Sequence, residues 1–113
     1  LMAVEATFVQ EGCLIDYTPG ADVPAGAVVV QGELVGVAKE AIKANQLGAL
    51  AVTGMFDCAK ATGGGTAITV GANVYWNDTA NTATTTATGN KLIGKCVKAA
   101  ADADATVRVR MMQ

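Results

Sequence analysis

The chain contains no histidine, so it lacks the commonest general base and the commonest metal ligand. Cysteine is scarce: Cys13, Cys58 and Cys96 are an odd number at wide spacing, with no C-x-x-C pair to hold zinc. They read as reduced, mostly buried small hydrophobes of a cytosolic product. Neither charge dominates. Eight basic against ten acidic residues, a net charge of −2, leave no electrostatic footprint for nucleic acid or anionic lipid. No apolar run approaches the roughly 18 residues that span a bilayer. Met2-Ala3-Val4-Glu5 reads as a native start without the basic-then-apolar order of a signal peptide, and Leu1 ahead of it as extraneous. Large side chains are few as well: 51% of residues are apolar, but five are aromatic and 22 are alanine.

What remains is small and β-branched, with 14 valines, 13 threonines and 13 glycines in 113 residues. That length fits one domain. A core of such residues buries little apolar area per residue, at roughly 25 cal/mol per Å², so burial between subunits would help stability. Turn-forming residues recur at short intervals, from Gly12, Pro19-Gly20 and Pro24 to Asn77-Asp78 and Gly89-Asn90. Between them lie short runs rich in β-branched residues: residues 13–17, 27–30, 34–37, 50–56, 73–76, 82–86, 92–97 and 106–111. This pattern predicts an all-β fold, a small β-barrel or sandwich, with at most one or two short helical turns. The last run alternates cleanly, Val107, Val109 and Met111 on one side and Thr106, Arg108 and Arg110 on the other.

Two stretches, Ala38–Ala44 and Lys98–Ala103, have helix-forming composition but are too short for an isolated helix. Each reads as a strand end, a turn or a helical turn. A weak internal two-fold repeat is visible. Gly26-Ala27-Val28-Val29 with Leu34-Val35-Gly36 recurs as Gly71-Ala72-Asn73-Val74 with Leu92-Ile93-Gly94. The second copy carries a threonine-rich excursion from Asn77 to Asn90.

Motifs for chemistry are thin. Gly89 to Cys96 fits G-x-x-x-x-G-K, but Cys96 stands where Ser or Thr would hold magnesium and a polar run precedes it. A hairpin turn at Gly89-Asn90 is the better reading. Gly63-Gly64-Gly65 reads as a mobile loop rather than a ligand cradle. Lys60 faintly resembles the hairpin lysine of swinging-arm, lipoyl-like carrier domains, without their flanking residues; a solvated loop lysine is the default. Nothing makes a converging carboxylate pair, so no catalytic, cofactor-binding or metal-ligating residue is assigned. Of the pair Tyr75-Trp76, one ring should point inward and one outward, where it either partly covers the barrel end or contacts a partner or, in a carbohydrate-binding module, a sugar.

The segments Phe8–Pro19, Val23–Val30, Leu34–Ala38, Gly71–Trp76, Thr84–Asn90, Leu92–Gly94 and Ala105–Arg110 together resemble a family of small tailed-bacteriophage proteins, the capsid cement or head-decoration proteins. The chain departs from that pattern at Cys13 and in the basic, alanine-rich Ala38–Gln46. The resemblance implies a structural protein, not an enzyme, that needs no cofactor. It would sit on the outer capsid surface of the virion at capsomer junctions, after synthesis in the host cytoplasm. Its partners would be the major capsid protein and further copies of itself, a trimer favoured over a dimer, with no direct nucleic acid and no membrane. Residues 1–10 are then expected to form an N-terminal arm and 11–113 a single β-domain. Candidate capsid or subunit contacts are Val4, Glu5, Phe8 and Val9 on the arm, and Tyr75, Trp76, Arg108 and Arg110 on the body.

Overall fold

The computed structural model describes residues 12–113, and among them there is no helix. Nine strands follow in order: β1 (Leu14–Tyr17), β2 (Val28–Gln31), β3 (Leu34–Val37), β4 (Gly48–Ala51), β5 (Gly54–Ala59), β6 (Asn73–Asn77), β7 (Thr82–Thr84), β8 (Lys91–Lys98) and β9 (Thr106–Met111). They form two antiparallel sheets, ordered β1-β4-β3-β2 and β5-β9-β8-β6-β7. The all-β expectation is met. The two alanine-rich stretches are not helical: their alanines carry backbone bonds to loops, described next, that a helix would have consumed.

The repeat suggested by the sequence is a structural duplication. In each sheet the first strand of the unit pairs with the last, the last with the third and the third with the second; β7 is the extra strand of the second copy. The loops match bond for bond. Gly26 N–H donates to Ala38 O (2.6 Å) and Ala38 N–H to Ala27 O (2.9 Å). Gly71 and Ala72 repeat this with Cys96 at 2.8 and 3.0 Å. The bridge Val23–Ile42 recurs as Ile68–Ala100. Gly26 and Gly71 have φ of 86° and 88°, a conformation that costs glycine little and a side chain much. One cross-link runs in opposite directions in the two copies. Asp22 accepts from Ala44 N–H at 2.8 Å, and Asp102 accepts from Ala67 N–H at 2.8 Å.

Each unit has a core of its own. In the second it holds Val74, Cys96, Ile68 and Ala100 with Trp76, Ile93, Val107, Val109 and Met111. The matching positions of the first unit, Val29, Ala38, Val23 and Ile42, gather with Leu50, Ile15 and Tyr17 in a smaller cluster. The other side of β2 and β3 (Val28, Val30, Val35 and Val37) packs onto the larger core. β2 and β3 are therefore apolar on both faces, which is why they read as valine runs without alternation, whereas Leu14 and Asp16 of β1 remain exposed. Gly36 is bare because a Cβ there would lie 2.8 Å from Leu50 Cβ.

The run read as one strand, residues 50–56, is two. Val52 and Thr53 separate β4 of the first sheet from β5 of the second, and Gly54 supports the break with φ of 121°. An isolated parallel bridge from Lys60 to Ala83 brings β7 to the end of β5, so the five-stranded sheet curls around its core. The two sheets are also tied at the last residue. Val35 N–H donates to the Gln113 side-chain oxygen and Gln113 Nε2 donates to Val35 O, both at 2.6 Å. Two satisfied backbone groups on β3 gain a net contribution of about 1 kcal/mol per bond.

Candidate functional site

The outer face of the five-stranded sheet is where the structure gathers candidate contact residues. β9 supplies it by strict alternation: Val107, Val109 and Met111 are buried, while Thr106, Arg108 and Arg110 are exposed. Pairing then sets their neighbours. Arg108 lies opposite Asp57 of β5 and Lys98 of β8; Arg110 lies opposite Met55 and Lys95. Lys95 in turn faces Asn73 of β6, and Tyr75 faces Leu92. Val97 is the extra residue where β8 bulges between Cys96 and Lys98.

Two side chains on this face are anchored. Arg108 donates Nε to Asp57 Oδ1 at 2.9 Å and Nη2 to Oδ2 at 3.2 Å, a forked pair that fixes the guanidinium beside Asp57. The bonded, positive Arg108 keeps the Asp57 carboxyl below its usual range. Lys95 Nζ donates to Asn73 Oδ1. Arg110 has no ion pair among the described residues.

Between these cations the face is apolar. Met55 is 66% exposed, Met112 41%, Val97 38% and Leu92 37%. Asn73, Leu92, Lys95, Met112 and Gln113 line a shallow depression of about 240 Å³. Arginine, methionine and tyrosine over exposed aliphatic surface is the composition of a contact patch rather than of an inert face. The duplication sharpens this reading. Val28 and Val37 of the first unit pair as Asn73 and Lys95 do in the second. In the first unit that face is aliphatic and covered; in the second it is mixed, charged and open.

Of the sequence candidates, Tyr75, Arg108 and Arg110 therefore meet on one face. Trp76 does not join them: its ring is 4% exposed in the core, with Nε1 donating to Asp78 Oδ1 at 3.3 Å. Alternation along β6 puts Val74 and Trp76 inside and leaves Tyr75 half-buried outside. Val4, Glu5, Phe8 and Val9 lie outside the described residues. Sequence reasoning missed Met55, Leu92, Lys95, Lys98 and Met112. The two register shifts in β8 scramble its alternation, so no period marks which of its side chains face out.

The chemical motifs resolve into structure. Lys95, the would-be phosphate lysine, sits mid-strand in β8, and Gly89-Asn90 is a turn closed by Asn90 N–H to Ala87 O at 3.1 Å. That turn is not a hairpin, because β6 lies between β7 and β8. Lys60 is not solvated but 5% exposed, its Nζ donating to Ala61 O (2.7 Å) and Thr66 Oγ1 (3.1 Å). It is thus shielded from a modifying enzyme. The glycine triplet is braced by Thr66 Oγ1 donating to Gly63 O at 2.6 Å and Gly63 N–H to Asp102 O at 2.9 Å. No group of Cys, Asp or Glu among the described residues is placed to hold a metal.

Cys58 and Cys96 are buried and Cys13 is exposed. Burial, reinforced by the negative Asp57, pushes the Cys58 thiol up to about 11. A maleimide reagent at neutral pH should add once to the native protein, at Cys13, and three times after unfolding. Mass spectrometry of the intact chain reads this directly, and a second native adduct would mean the core opens more than its packing implies.

A family model described as phage cement protein matches residues 9–111, nearly the whole chain. No curated protein and no solved structure matches it.

Proposed function

Because the chain belongs to the phage cement protein family, and so is a structural protein of the phage capsid, we propose that it acts without catalysis on the outside of the head. It binds at capsomer junctions of the assembled shell, contacts the major capsid protein there, and works as a homo-oligomer, a trimer in the favoured arrangement. It is made in the host cytoplasm and added to finished shells. The open outer face of the second sheet carries this reading. It concentrates Tyr75, Arg108, Arg110 and four exposed aliphatic or methionine side chains on a rigid sheet that needs no cofactor.

A ligand that binds only the assembled lattice stabilises it by mass action, RT ln(1 + [L]/Kd) per site. Repetition over many sites then opposes the pressure of packaged DNA. Linking subunits into an oligomer raises the effective concentration of each remaining contact. Residues 1–10 serve in this reading as an arm, with Val4, Glu5, Phe8 and Val9 reaching a neighbour or the shell.

The test is co-sedimentation of the purified protein with heads lacking it, beside its mass in solution. Saturable binding to expanded heads and a trimer mass are expected. Removing residues 1–9 should weaken attachment and leave the melting temperature unchanged. A protein that ignores heads would refute the reading, and full attachment by the truncated form would remove the arm from it.

A further inference from the structure

The charge on the outer face differs in sign from the charge of the chain. Lys95, Lys98, Arg108 and Arg110 share it with one carboxylate, Asp57, while the whole chain has a net charge of −2. Half of the eight basic residues thus stand on one sheet face, and the remainder of the molecule is correspondingly acidic. We propose that this face docks on an acidic protein surface, a patch of carboxylates on the shell, and that charge selects the orientation in which the protein lands. The inference rests on the capsid reading above and adds the chemistry of the partner.

Three observations support it. Arg108 and Lys95 are held in place by Asp57 and Asn73, so little freedom is lost when they meet a carboxylate. Arg110 lies between them, opposite Met55 and Lys95, with no ion pair of its own among the described residues. Its guanidinium presents a planar fork suited to a carboxylate. Finally, Met55, Leu92, Val97 and Met112 interleave with the cations. Exposed aliphatic side chains complement a protein surface, whereas a nucleic-acid groove uses aromatic platforms and phosphate contacts. An acidic shell would repel the rest of this molecule and attract this face, which both steers encounter and rejects wrong orientations.

The experiment compares three full-length proteins on expanded heads that lack the protein: the parent, Lys95→Glu/Arg110→Glu, and Lys39→Glu/Lys43→Glu. The last makes the same charge change in the exposed loop after β3. Circular dichroism and melting temperature establish that each is folded; a neutral pair, Lys95→Gln/Arg110→Gln, replaces the reversal if it does not fold. Parent binding should weaken at least about 10-fold as monovalent salt rises from roughly 50 to 300 mM. The face reversal should lose about 100-fold at low salt and the loop reversal less than about 3-fold. Parent-like, salt-independent binding by the face variant would overturn the inference and leave the capsid role standing. Equal losses in both variants would overturn it as a general charge effect. Tight binding of the parent to duplex DNA at physiological salt, abolished by the face reversal, would replace it with a nucleic-acid partner. A parent that does not bind heads removes both readings.

Discussion

Replacing Gly94 by alanine is expected to destabilise the fold strongly, lowering the melting temperature by more than about 10 °C or leaving the protein insoluble. A Cβ at this position would lie 2.0 Å from the Arg110 carbonyl oxygen, 2.8 Å from Met112 N and 2.9 Å from Arg110 C. All three are backbone atoms, so no side chain can turn aside. Strand β8 would have to move away from β9, where Gly94 pairs with Met111. β9 is central, paired on its other side with β5, so the displacement propagates through the sheet and into the core. Overpacking costs typically about 1–3 kcal/mol, and a fixed backbone clash belongs at or beyond the upper end of that range. That is a large fraction of the stability of a chain this small. Far-UV circular dichroism and solubility check it, with Gly64→Ala as the control, since nothing lies within 4 Å of a Cβ there. Gly48→Ala should fall between the two, because its 2.6 Å neighbours are side-chain atoms of Ile42. A Gly94→Ala protein that melts within a few degrees of the parent would show that the β8–β9 register is wrong.

Trp76→Ala should cost about 3–5 kcal/mol, as large aromatic truncations in cores do. The ring is 4% exposed and belongs to the larger core with Val74, Ile93 and Val109, whose other members are too small to close the space it leaves. Its neighbour gives the opposite outcome. Tyr75 is half-buried on the outer face, so Tyr75→Ala should cost about 1 kcal/mol or less in stability while weakening attachment to heads. Urea unfolding followed by circular dichroism gives the first effect and co-sedimentation the second. If Trp76→Ala left stability intact and lowered binding instead, the assignment of the two rings would be reversed.

The contrast between Tyr75 and Trp76 shows how far the sequence could be read. Adjacent aromatics in a strand must face opposite ways, and that much followed from the period of two. Which ring was inside depended on which side of β6 met the core, a fact of sheet packing. β9 was legible in full because one of its faces meets water, so Val107, Val109 and Met111 alternate with Thr106, Arg108 and Arg110. β2 and β3 were legible as strands but not as to face, since both sides are covered. β4 and β5 were fused into one run because their residues are apolar across Val52, and the break at Gly54 needs a backbone angle that no composition displays. Lys60 was misread for a related reason. Its burial depends on Ala61 O and Thr66 Oγ1 lying within reach, and loop closure decides that.

The amino-acid order alone determined the strand-rich class, the absence of histidine chemistry, the family resemblance and the faint repeat. These depend on residue type and on spacings of a few positions, where local sterics and patterning operate. Only the tertiary structure decided that the repeat is two sheets of matching strand order with a core each, and that β2 and β3 are covered on both sides while the five-stranded sheet keeps a face open. It also decided that Lys95, Lys98, Arg108 and Arg110 share that face. Register and bulges set these pairings, and they depend on contacts between residues far apart in the chain. A one-residue slip would turn every affected side chain to the opposite side.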